Sequence, residues 1–319
     1  MPIKIPNNLP AAKVLSGENI FLMHEFRAVH QDIRPLKIAI INLMPTKNET
    51  EIQLLRLLSG TALQVEVDFI QMTSHVSKNT PRDHLTTFYK GFDVIENLCY
   101  DGMIITGAPV ETLPFEEVDY WPELSAIMEW CNDHVYSVLH ICWGAQAGLY
   151  HHYGIDKYML DTKLTGVFPH RSLVSHHPLL RGFDDVYYAP HSRYTTVRAE
   201  DIAAQHEINL LSFSDEAGVY IAASNDSRKI FVTGHAEYDS TTLASEYNRD
   251  IRAGVPTPIP VRYFPDDNPE NKPVMIWRSH ANLLFANWIN FVIYQNTPYD
   301  LSSLNKTALT LQGMRCAGC

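Results

Sequence analysis

The chain has 319 residues, with 36 acidic side chains against 25 Lys and Arg and a net charge of −11. That balance argues against a nucleic-acid partner, and the absence of any run of 18 apolar residues argues against a membrane span. The start, Met1-Pro2-Ile3-Lys4-Ile5-Pro6, lacks an apolar signal core, and five cysteines in this length build no disulfide framework, so a reducing, cytoplasmic setting is expected.

Residues 1–35, with Pro2, Pro6, Pro10 and Pro35, read as irregular. Residues 36–43 are an apolar run of the kind a buried strand makes, closed by Met44-Pro45. Thr46-Lys47-Asn48-Glu49 has capping-box spacing, and Leu54, Leu55, Leu57 and Leu58 continue it as an apolar helix face that Gly60 ends. Alternation over 65–70 predicts a second strand, and 101–106 a third that runs into the turn Gly107-Ala108-Pro109. Trp121, Leu124, Ile127, Met128 and Cys131 have helical spacing. A fourth strand at 136–141 leads into a helix that reaches Gly154. Strands alternating with helices predict an α/β fold, a mostly parallel sheet with helices on both faces. Ligands bind such sheets at the carboxyl ends of the strands.

The second half reads as an antiparallel addition. Residues 207–213, 218–223 and 229–233 are short strands, the last two joined by Ser224-Asn225-Asp226-Ser227. Residues 251–274 hold six prolines and predict a long ordered loop, and 281–294 an apolar final helix. With no repeat and no linker, a single domain is expected over 1–302, followed by a flexible tail at 303–319. Cys316 and Cys319 have C-x-x-C spacing there, but a lone pair in a tail is usually inert, and no metal is assigned to it.

Two stretches carry chemistry. In Val138-Leu139-His140-Ile141-Cys142-Trp143-Gly144-Ala145-Gln146 an apolar strand stops at a cysteine and small residues open a helix, the pattern of a nucleophile elbow. A thiol beside a helix N-terminus meets free N–H groups that favour thiolate and an oxyanion. In Lys229-Ile230-Phe231-Val232-Thr233-Gly234-His235-Ala236-Glu237 another strand ends in Gly, with His235 able to serve as base and Glu237 to orient it. His140 is large for an elbow position that prefers a small residue. His170, His176 and His177 fit no standard zinc spacing, so no metal is expected.

These motifs, with Asn42-Leu43-Met44-Pro45-Thr46-Lys47, Thr106-Gly107-Ala108-Pro109 and Gly234-His235-Ala236-Glu237-Tyr238, resemble the cysteine-dependent homoserine O-acyltransferases of methionine biosynthesis over about residues 1–300. The resemblance implies a class I glutamine amidotransferase-like (flavodoxin-like) fold and a cytoplasmic homodimer. It implies ping-pong transfer, with Cys142 taking an acyl group from acyl-CoA and passing it to the hydroxyl of L-homoserine, and no bound cofactor. His235 and Glu237 would complete the catalytic set. The backbone N–H groups of Trp143 and Ala108 would form the oxyanion hole, while Lys163, Ser192 and Arg249 would contact homoserine and Lys47 the acyl donor. Glu111 would select acetyl-CoA, since family members with glutamate there look acetyl-specific and those with glycine resemble succinyl users.

Three other readings compete: succinyl transfer, a glutaminase-type cysteine hydrolase on the same scaffold, and a binding module that keeps the fold. A binding module typically loses its nucleophile or base, and this chain keeps both. A serine transacetylase of the α/β-hydrolase type is excluded by the lack of Gly-x-Ser-x-Gly.

Overall fold

The computed structural model describes residues 3–6, 9–17, 22–24, 34–75 and 79–304. Cys316 and Cys319, and most of the tail, lie outside them. The N-terminal part is more regular than its prolines suggest. It forms strand β1 (Ile3–Ile5), helix α1 (Ala11–Gly17) and strand β2 (Leu22–His24), because the prolines fall outside these short runs.

The central elements follow as expected: β3 (Leu36–Ile41), α2 (Lys47–Leu58) and β4 (Val65–Ile70). Thr46 does take the N-cap position of α2, but its side chain makes no capping hydrogen bond, so the capping box does not form. Short pieces come next, α3 (Arg82–Phe88), β5 (Tyr89–Lys90) and α4 (Phe92–Ile95). Then β6 (Tyr100–Ile105), α5 (Trp121–His134), β7 (Val135–Ile141) and α6 (Trp143–Tyr153) follow. Gly154 ends α6 in the left-handed region at φ 67°, where a glycine has no Cβ to clash.

A long hairpin that the sequence reading left without strands comes next, β8 (Tyr158–Ser172) and β9 (Val186–Thr196). After α7 (Ala199–Ala203) stand β10 (Ile208–Ser214), β11 (Gly218–Ser224) and β12 (Lys229–Val232), then α8 (Thr242–Arg252) and α9 (Arg278–Asn287). The last helix continues through a π-helical turn, Trp288–Ile293.

Among the described residues one 12-stranded sheet runs β2-β1-β4-β3-β6-β7-β12-β11-β10-β8-β9, with β5 beside β4. From β2 to β12 neighbours are parallel, and from β12 to β9 they are antiparallel. Alternate residues of β3 supply the two faces. Ile38 and Ile40 pack with Leu54, Leu55 and Leu58 of α2 and with Leu284 of α9. Ala39 and Ile41 pack with Leu124, Ile127 and Met128 of α5. A period of two on the strand thus feeds two helical layers, and each fully buried Leu or Ile contributes about 1.5–3 kcal/mol. The proline-rich segment after α8 is tied to β8, with Val261 N–H donating to Thr165 O at 3.0 Å and Val167 N–H to Val261 O at 2.8 Å. No helix among the described residues is long and apolar enough to cross a membrane.

Candidate active site

The parallel strands β3, β6, β7 and β12 end side by side, and the residues that follow them meet there. Cys142 stands between β7 and α6 with φ 52° and ψ −117°, a backbone conformation that costs a non-glycine residue of order 1–3 kcal/mol. Its N–H donates to Val232 O at 2.7 Å, so the neighbouring strand holds the bend. Two glycines permit the geometry. A Cβ on Gly144 would come within 2.6 Å of Thr106 O and 2.7 Å of Ile105 O, so α6 can pass over β6 only without one. A Cβ on Gly148 would meet His140 Cδ2 at 2.6 Å. His140 is fully buried, its Nδ1 lies 3.1 Å from Ile230 O, and its ring stacks on Phe231. Gly148 is what makes room for a large residue two places before the cysteine.

His235 follows β12 and is buried against the thiol, with a hydrogen bond to Cys142. Its Nδ1 donates to Glu237 Oε1 at 2.7 Å, which leaves Nε2 for the sulfur. Burial opposes a charged imidazole, but Cys142 and Glu237 outweigh it and hold His235 well above its ordinary pKa. The ring is also stacked on Tyr238, with centroids 4.0 Å apart, and the His235 N–H donates to Pro190 O at 2.8 Å.

The turn after β6 closes over the thiol. A Cβ on Gly107 would lie 3.2 Å from Cys142 Cβ and 3.7 Å from both Cys142 Sγ and His235 Cε1. Ala108 is buried in this turn. Trp143 is the first residue of α6, where N–H groups have no partner within the helix. Glu111, half-buried, turns inward, and its carboxylate accepts the Tyr194 N–H. Burial raises its pKa, while that hydrogen bond and the facing His235, Arg193 and Lys163 lower it less strongly.

Lys163 is buried on β8, within a stretch where the β8–β9 register shifts between Met159 and Leu164. Its Nζ donates to Asp250 Oδ2 at 2.7 Å and lies 5.6 Å from the Tyr194 ring centroid. Arg249 reaches the same carboxylate, Nε to Asp250 Oδ1 at 2.9 Å, and keeps much of its guanidinium exposed. Ser192 is half-buried on β9 opposite Thr165. Lys47 is placed apart from these groups. It is buried, its Nζ donates to Asn42 O at 2.5 Å, and it borders a cavity of about 220 Å³ with Met44, Met72 and Val110.

Three residues were missed in the sequence. Glu246 stands one turn of α8 before Arg249 and Asp250, at helical offsets of three and four, but a polar helix offers no signal for which charges turn inward. Glu246 Oε1 accepts the Tyr238 hydroxyl at 2.7 Å, and its Oε2 is buried without a partner among the described residues. Arg193 is buried beneath the His235 loop on the unrecognised strand β9. Of the histidines whose spacing fits no zinc pattern, His170 Nε2 lies 3.0 Å from His191 Nε2, and His177 accepts the Leu179 N–H. His176 is exposed at φ 60°. Among the described residues no group of three or more His, Cys, Asp or Glu is arranged to hold a metal ion.

Comparison with known proteins bears on the fold and the family. A glutamine amidotransferase from Thermotoga maritima superposes with a TM-score of 0.55 at 10% identity, covering 82% of this chain and 100% of its own, a likeness of fold alone. A homoserine O-acetyltransferase from Acetivibrio thermocellus is 60% identical over 304 residues, 95% of this chain and 100% of that protein. One from Methanomethylophilus alvi is 58% identical over 306 residues, 96% of this chain and 99% of that protein. The homoserine O-succinyltransferase family profile matches residues 2–299, and the chain belongs to that family.

Proposed function

We propose that the protein is a homoserine O-acetyltransferase that moves an acetyl group from acetyl-CoA to the hydroxyl of L-homoserine through a Cys142 thioester. The observation that carries the chemistry is the buried sequence of contacts from Cys142 to His235 to Glu237 under the Gly107 turn. In the first half-reaction His235 takes the Cys142 proton and the thiolate adds to the acetyl carbonyl. The bond to the CoA sulfur breaks, and the leaving thiolate takes the proton from His235. In the second, His235 takes the homoserine hydroxyl proton and the alkoxide oxygen adds to the thioester. The bond to Cys142 then breaks, the departing Cys142 sulfur takes the proton back from His235, and O-acetyl-L-homoserine is released. Trp143 N–H and Ala108 N–H would hold the oxyanion of each tetrahedral intermediate. No cofactor enters either step.

Homoserine fits beside α8. The exposed fork of Arg249, fixed by Asp250 next to Lys163, suits its carboxylate, and the unpartnered Glu246 oxygen suits its ammonium. Ser192 lines the same side. Lys47 and the cavity beside it lie where an acyl donor can approach from the other flank of the Gly107 turn. The choice of acetyl rests on Glu111, whose inward carboxylate opposes a donor ending in a second carboxylate, and on the names of relatives at 58–60% identity. We place the enzyme in the cytoplasm as a homodimer, which sizing by light scattering tests. The fold likeness to a glutamine amidotransferase keeps one rival, a cysteine hydrolase. Incubation with acetyl-CoA or succinyl-CoA, with and without homoserine, separates the readings. Ester formed from acetyl-CoA only when homoserine is present supports transfer, whereas free acid formed without homoserine supports hydrolysis.

A further inference from the structure

Tyr120 carries a polar group that the fold does not use. It stands at the N-cap of α5 and is 4% exposed, yet its hydroxyl has no hydrogen-bond partner among the described residues. The ring is held on two sides. It packs edge-on against the Trp143 ring, with centroids 6.1 Å apart, and against the His75 ring at 5.5 Å. His75 is itself fixed, its Nδ1 2.7 Å from Asp119 Oδ2. Burial and the charge of Asp119 raise the Tyr120 pKa, so the hydroxyl keeps its proton and remains a donor. A buried donor without a partner is costly, and native folds keep few of them.

Tyr120 lines the cavity of about 220 Å³ beside Lys47, whose wall is otherwise largely apolar, with Met44, Met72, Pro109 and Val110. Pro109 and Val110 belong to the turn whose Gly107 covers Cys142, and Trp143 directly follows the nucleophile. Two peptide links separate Gly107 from Pro109, at most about 8 Å. The cavity is therefore within reach of the thiol for a short chain. Its volume falls below the roughly 300–1,000 Å³ that encloses a whole drug-sized ligand, so it suits one part of a larger molecule. Homoserine is too polar to cover a wall of methionine, proline and valine. A chain of two-carbon links interrupted by carbonyl acceptors matches both the apolar wall and the spare phenol donor.

We infer that this cavity takes the two-amide pantetheine arm of the acyl donor, and that the Tyr120 hydroxyl donates to one of its amide carbonyls. The inference rests on the acyl-transfer reading and adds which part of the donor is gripped, and by what. Tyr120 is then a positioning residue. It holds the arm so that the thioester meets Cys142, and it touches none of the reacting atoms. The nucleotide end stays outside the cavity.

The test is Tyr120→Phe, assayed with three acetyl thioesters: acetyl-CoA, S-acetylpantetheine and phenyl thioacetate, which has no amide. The substitution removes an oxygen that bonds nothing in the described protein, so denaturant melts should show the fold as stable as before or more so. For acetyl-CoA and S-acetylpantetheine kcat/KM should fall alike, by about three- to tenfold, the worth of one neutral hydrogen bond. Acylation of Cys142 by phenyl thioacetate and kcat/KM for homoserine should keep their wild-type values. No loss with any donor, equal losses with all three, a loss confined to acetyl-CoA or a loss confined to homoserine each overturns the inference. Met44→Trp, which fills the cavity, supplies a second reading. It should slow S-acetylpantetheine far more than phenyl thioacetate, and equal effects overturn the inference. A wild-type protein that none of the three thioesters acylates would overturn the acyl-transfer reading itself.

Discussion

His235 Nδ1 lies 2.7 Å from Glu237 Oε1, and both side chains are buried. The short contact fixes which imidazole nitrogen faces the thiol, so the two residues act as base and orienter. Replacing His235 with Ala should cost several orders of magnitude in turnover, because base and nucleophile work as one unit. Glu237→Ala should cost less, since the imidazole remains. Steady-state kinetics on both variants check this, and small, equal losses would place the base elsewhere.

Gly144 should tolerate no side chain. A Cβ there would press on two backbone carbonyls of β6 and its turn, neither of which can swing away. Gly144→Ala should therefore destabilise the fold by about 1–3 kcal/mol, in the range of overpacking, and misplace Cys142. Denaturant melts paired with acylation assays measure both effects, and a variant with unchanged stability would contradict the packing described.

Arg249→Lys keeps charge and loses the planar fork, so KM for homoserine should rise by about tenfold or more, the loss of one bidentate contact. Acylation of Cys142 by acetyl-CoA should survive. Asp250→Asn should show the same split, because Asp250 anchors both Lys163 and Arg249. A defect chiefly in acylation would put Arg249 on the donor side.

Burial lowers Lys47 to a pKa of about 8, so it is cationic below that pH and increasingly neutral above it. If its charge draws the anionic acyl donor, KM for acetyl-CoA should climb several-fold as pH rises through about 8. Lys47→Met should flatten the profile. Identical profiles for the two proteins would remove Lys47 from the donor site.

Much of the parallel half can be read from the sequence because its strands are short apolar runs buried on both faces. The alternation over residues 65–70 coincides with β4, and β7 and its helix fall within a residue of expectation. The β8–β9 hairpin escaped for the opposite reason. His170, His191 and Arg193 are polar residues buried by pairing with one another and with backbone, Lys163 is buried by pairing with Asp250, and Pro169 and Pro190 lie inside the strands. Hydrophobic alternation carries no trace of such a strand. Cys142, His235 and Glu237 stood out because each follows an apolar run. Asp250, Glu246 and Arg193 did not, since their roles depend on partners distant in the chain.

The central claim is that Cys142 carries the acyl group, and intact-protein mass spectrometry tests it most directly. The protein is mixed with acetyl-CoA in the absence of homoserine, and the adduct is mapped by digestion. The prediction is one added acetyl group on Cys142 that disappears when homoserine is supplied, and no adduct in Cys142→Ala. An unmodified wild type that still makes ester, or turnover by Cys142→Ala at a comparable rate, would contradict the covalent mechanism.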